Sequence, residues 1–116
     1  MPIKIIENKI TKAELKEIAE NQFGDFVKAV VDLEKGIMAI GAELHADEEA
    51  TLLERGAQQK NLWGVNLYPE KSGDEWIEFN SMINIRPSQG NTSRSVEDPK
   101  IQEKIREVVA KRVQRT

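Results

Sequence analysis

Val27-Lys28-Ala29-Val30-Val31-Asp32-Leu33-Glu34-Lys35-Gly36-Ile37-Met38-Ala39-Ile40 is the run from which the architecture can be read. Residues 27–33 are rich in β-branched and apolar side chains, Glu34-Lys35-Gly36 supplies turn chemistry, and Ile37 restarts the apolar pattern, which reads as a β-hairpin. In the second arm, expected to run on to residue 45, Met38, Ile40, Ala42 and Leu44 point one way and Ile37, Ala39, Gly41, Glu43 and His45 the other, because Cβ atoms alternate along a strand. The apolar set is expected to face the core.

A hairpin needs neighbours, and the flanking sequence offers both strands and helices. Upstream, Ile3-Lys4-Ile5-Ile6 is β-prone, and Thr11 with Glu14 forms a capping box between the staple positions Ile10 and Leu15. Leu15, Ile18, Ala19 and Phe23 then make a helical stripe that ends at Gly24, a natural C′ residue. Downstream, Asp47-Glu48-Glu49 marks a short helix that ends at Gly56, with Asp47 as its cap and Ala50, Leu52 and Leu53 turned inward. Residues 62–68 alternate Trp63, Val65 and Leu67 against Leu62, Gly64, Asn66 and Tyr68, and Pro69 closes that strand. After a turn at 70–74, residues 76–86 alternate again, with Ser81 interrupting the apolar side and predicting a bulge near Asn80. Asp98 as N-cap and Pro99 at the first helical position open a last helix, whose stripe is Ile101, Ile105, Val108, Val109 and Val113. The order β-α-β-β-α-β-β-α predicts an α+β fold: a mainly antiparallel sheet of about five strands, packed by N- and C-terminal amphipathic helices.

The composition suits one domain over residues 1–116. The chain has 116 residues, no cysteine, one histidine, 39% apolar and 32% charged residues, and a formal charge of -3. A domain of this size buries roughly two-thirds of its unfolded surface, so it folds without disulfide or metal staples. The missing thiolates exclude zinc ribbons, iron–sulfur clusters and thiol nucleophiles. With no apolar leader and no run near the roughly 18 residues that a membrane helix needs, the chain reads as cytoplasmic. Charge is uneven: residues 1–80 hold nine basic and sixteen acidic residues, and residues 81–116 hold eight and four. A basic segment attracts phosphates. Here Lys111, Arg112 and Arg115 fall where cations complement a helix C-terminus, and neither RNA-recognition signatures nor aromatic interleaving accompany them, so nucleic acid is set aside as a partner.

Val27-Lys28-Ala29-Val30-Val31-Asp32, Glu43-Leu44-His45-Ala46-Asp47, 62–69 (Leu-Trp-Gly-Val-Asn-Leu-Tyr-Pro) and 83–91 (Ile-Asn-Ile-Arg-Pro-Ser-Gln-Gly-Asn) together resemble a small prokaryotic family known as a domain of unknown function. The resemblance spans nearly the whole chain, through motifs like GxELHAD and NIRPSQGN. It implies a fold of this size and carries no activity, substrate or cofactor.

Candidate chemistry follows from strand parity. If helices cover one sheet face, the other collects Glu43, His45, Asn66, Tyr68, Asn84 and Arg86. His45 is the side chain that titrates near neutrality, and Glu43 would stand on its side of an extended strand, the minimum for acid–base work. In the loop that follows, Arg86 supplies a forked cation, Gly90 permits close backbone approach, and Ser88, Gln89 and Asn91 offer hydrogen bonds, a set suited to an anion. A metal on Glu43, His45 and Asp47 fits poorly, because catalytic zinc usually takes more than one histidine. The first reading is a small anionic ligand or a protein partner bound by loop 86–93 and the polar sheet face, with Asn84 in the site. The alternatives are a hydrolase-like enzyme using His45 as general base with Glu43 and Arg86, and a self-associating module forming a homo-oligomer.

Overall fold

Asp32 closes the central hairpin by accepting the backbone N–H groups of Glu34 and Lys35 on Oδ1 at 3.0 and 3.2 Å, while Gly36 takes the positive φ of 67° that the turn requires. This is seen in a computed structural model, which describes residues 3–115. The hairpin strands are β3 (Val27–Asp32) and β4 (Ile37–Ile40), with Ala29 opposite Ile40. Before them run β1 (Lys4–Ile6), β2 (Ile10–Thr11) and helix α1 (Lys12–Asn21). After them come α2 (His45–Glu54), β5 (Leu62–Leu67), β6 (Ile77–Glu78), α3 (Pro99–Arg112) and β7 (Val113–Gln114). Five strands form one antiparallel sheet in the order β1-β4-β3-β5-β6, and β2 pairs with β7 in a separate parallel ribbon. The expected α+β class holds, as do the caps of the first and last helices: Thr11 and Glu14 complete the capping box, and Asp98 caps α3 ahead of Pro99.

The sheet is covered on both faces. On the first, Val31, Met38, Ile40, Trp63 and Val65 lie in one core with Leu15 and Ile18 of α1 and Ile105 and Val109 of α3. On the second, Val30, Ala39 and Leu62 form a smaller core with Leu52 of α2, joined by Ile5, Ile37 and Ile83. An open polar face was the premise of the parity reading, and it does not form. The even-numbered positions of the central strands include Val30 and Leu62, which need cover as much as their odd-numbered neighbours do.

Two predicted strands are shorter than expected. β4 stops at Ile40 because Gly41 turns to a φ of 98°, so Glu43 lies in a bend and His45 opens α2 instead of ending a strand. The N-cap of α2 is Leu44, with no side-chain cap, and Asp47 falls inside the first turn. In the 76–86 segment only Ile77 and Glu78 pair with β5. Ser81 breaks the strand outright, since its Oγ accepts from the Ile83 N–H and starts a single 3₁₀ turn over Met82–Asn84. Trp76, at the start of this segment, is 9% exposed and belongs to the first core, with Arg115 over its ring.

Leu52 is 1% exposed and anchors α2 to the second face. Leu52→Ala is expected to cost about 2–5 kcal/mol, the usual loss for a leucine truncated in a packed core. Chemical denaturation measures it, and a loss under about 1 kcal/mol would show that α2 is not held this way.

Candidate functional site

β6 covers only the last two residues of β5, so the backbone of Gly64 and Leu62 turns toward an edge without a strand. Two side chains fill the place of that strand. Asn84 accepts the Gly64 N–H on Oδ1 and donates from Nδ2 to the Gly64 carbonyl, both at 2.9 Å, which are the two bonds a paired strand residue would make. Arg86 donates to the Leu62 carbonyl, to Gln59 O at 2.7 Å and to Ile83 O at 3.0 Å, with its guanidinium 4.8 Å from the Trp63 ring and Glu49 at 3.7 Å. Asn91 gathers the rest of the loop, donating to the carbonyls of Asn84, Ser93 and Ser95 and accepting from the Glu97 N–H. All three side chains are buried.

The predicted ligand residues therefore part company. Asn84, Arg86 and Asn91 have their polar groups occupied within the fold, Gln89 reaches Arg86 and the Lys60 carbonyl, and Ser88 and Gly90 are exposed at the loop tip. Glu43 is exposed and makes no hydrogen bond to His45. His45 and Asn66, by contrast, are brought together as walls of one cavity.

That cavity, about 390 Å³, lies between the start of α2 and residues 78–83, with Phe26, Lys28 and Asn66 on its sheet side. Beside it, Gly64 lets Ser81 and His45 pack directly on β5: a Cβ there would stand 2.6 Å from Ser81 Cβ and 3.2 Å from the His45 ring. Lys28, Glu78 and Arg94 supply its charges, and Leu44 and Met82 its exposed apolar walls. His45 Nε2 sits 2.8 Å from the Val65 carbonyl, which can only accept, so Nε2 carries the proton and Nδ1 keeps its lone pair. Nδ1 has no partner among the described residues. Burial, opposed by the Val65 bond and aided by the charges of Lys28 and Arg94, lowers the imidazole below its ordinary pKa, so the ring is neutral at pH 7. Val65 orients this histidine in the place that parity assigned to Glu43.

One turn along α2, Glu48 is fully buried. Its Oε2 accepts the Ala42 N–H at 3.1 Å, Oε1 has no partner among the described residues, and burial pushes the carboxyl up to about 9. It is a neutral acid at pH 7, tying the 41–44 bend to the helix. Sequence reading missed Glu48, and it missed the cavity roles of Lys28 and Arg94. Lys28 did leave a signal, as the single charge inside β3 before Asp32. Among the described residues no three histidine, aspartate or glutamate side chains gather as metal ligands, and no helix is long and apolar enough to cross a membrane.

Fold and site together define a small α+β domain with a polar cavity between its sheet and its middle helix. Residues 4–112 match the model of a family described as protein of unknown function (DUF5674), and the chain belongs to that family, as its motifs implied. No curated protein and no solved structure matches it.

Asn84→Ala leaves the buried Gly64 N–H and C=O unpaired, and a loss of about 2–4 kcal/mol is expected, with faster hydrogen exchange at the Gly64 amide. Unchanged exchange there would refute the side-chain strand mimic. For Glu48, the folded pKa lies above the unfolded value, so the folded state holds a proton that the unfolded chain has lost between pH 4.5 and about 9. Stability should fall as pH rises through that window, by up to about 1.4 kcal/mol per unit. Glu48→Gln should flatten this dependence in melts taken from about pH 5 to pH 8; an unaltered slope would assign it elsewhere.

Proposed function

We propose that this domain binds a small anionic ligand in the cavity between α2 and residues 78–83, with Lys28 and Arg94 as its counter-charges and His45 at its side. The observation that carries this reading is that neither cation has an acidic partner. Lys28 lies over the Phe23 ring at 5.0 Å, Arg94 uses only its backbone carbonyl, and neither forms an ion pair among the described residues. Two unpaired cations beside a neutral, partly desolvated imidazole make a positive potential in a concave site. The ligand class is the one expected from the sequence, but its support comes from the cavity beside α2 and not from loop 86–93, whose Arg86 is already held by carbonyl groups and Glu49.

The single histidine makes a direct test. Inorganic phosphate and acetate, titrated while the His45 ring is followed by NMR, should move its signals and raise its pKa, because an anion favours the imidazolium against Lys28 and Arg94. Affinity should therefore tighten as pH falls through the depressed titration of His45 and weaken with added salt. Glu78 and Glu48 also face this region, so the titration is repeated in E78Q and E48Q to assign the proton. K28Q combined with R94Q should abolish the response. A wild-type ring that ignores both anions, or a double variant that responds equally, overturns the proposal.

A further inference from the structure

The cavity holds more than cations, and the surplus is all of one kind. Glu78 accepts from Asn66 Nδ2 at 2.8 Å and from the Tyr68 hydroxyl at 3.3 Å, both on Oε1, and its second oxygen has no partner among the described residues. Asn66 is 6% exposed, yet its Oδ1 has no partner among the described residues. His45 Nδ1 is a third free acceptor. A bare anion would satisfy Lys28 and Arg94 while meeting the Glu78 carboxylate as a like charge and leaving the buried Asn66 oxygen unmatched, an arrangement that binding sites avoid because a desolvated acceptor without a donor is costly.

Resting on the anion reading above, we infer that the ligand is an amino-carboxylate: its carboxylate faces Lys28 and Arg94, and its ammonium group faces Glu78 with Asn66 and His45 as further acceptors. The walls extend the description to its third substituent. Leu44 is 56% exposed and Met82 66%, high values for large apolar side chains, and both flank this one cavity beside Phe26 and Ile83. An apolar side chain on the ligand would take them out of water, which favours a leucine-like amino acid over glycine. The separation of charge also sets selectivity, since an alkylamine lacks the group for Lys28 and Arg94 and a fatty acid lacks the one for Glu78.

Four probes separate these contributions: leucine, 4-methylpentanoate (the same skeleton without the amino group), 3-methylbutylamine (without the carboxylate) and glycine. With calorimetry and the His45 ring signals as readouts, leucine should bind roughly tenfold or more tightly than each of the other three, the scale of one charged hydrogen bond or one buried aliphatic side chain. E78Q, a change at an exposed position, should reduce leucine affinity about tenfold and leave 4-methylpentanoate unchanged or improved. L44S should narrow the gap between leucine and glycine. If 4-methylpentanoate or phosphate binds as well as leucine, or if E78Q leaves leucine unaffected, the amino-carboxylate inference fails while anion binding stands. If no probe and no simple anion moves His45, both fail.

Discussion

The open edge of β5 is the constraint around which much of this molecule is arranged. A strand in the middle of a sheet needs partners on both sides, and an unpaired row of N–H and C=O groups would offer itself to any passing strand. Here β6 ends after two pairs, and the remaining edge is closed by the side chains of Asn84 and Arg86 instead of by backbone. A side-chain amide has the same donor and acceptor as a peptide group, and a guanidinium offers several donors in a plane, so both residue types suit the task. Their backbones are set in turn by Asn91, whose buried amide ties residues 84–97 together while the tip of the loop stays exposed.

Covering the second face creates the cavity. Because the 78–84 segment leaves the sheet at Ser81, and because β4 gives way at Gly41, α2 and the 3₁₀ turn meet above β5 with Ser81 and His45 packed on Gly64 and the space beside Lys28 and Asn66 left open. The result places a histidine against a carbonyl, which selects its tautomer, and leaves Lys28 and Arg94 facing a shared space without carboxylate partners. The glutamate at the start of the same helix is neutral, so α2 contributes less negative charge near the cavity than its four acidic residues would imply.

Much of the fold was legible because it rests on local rules. The hairpin at 27–40, the capping box at Thr11 and the Asp98-Pro99 start of α3 each follow from side chains within a few positions of one another. What failed was extrapolating alternation past a break: Gly41 and Ser81 end their strands, and a period of two cannot announce where pairing stops. The site was only half visible for the same reason. His45 and Asn66 do share a wall, although His45 arrives from a helix. Asn84, Arg86 and Asn91 had the chemistry of ligand residues, and only three-dimensional proximity shows that their ligands are carbonyl and amide groups of this chain. Lys28 and Arg94 lie far apart in sequence, so nothing short of the fold could join them.

The parallel ribbon between β2 and β7 sets the order in which this protein is completed. Ile10 finds its β-partner in Val113, and both are buried, so a nascent chain cannot finish its first core until residue 113 has emerged. Such long-range closure is slow compared with hairpin or helix formation. Synthesis that stops ahead of β7 would yield a chain with its central hairpin formed and the N-terminal side of its core unsealed, a form that quality-control proteases could distinguish from the finished molecule.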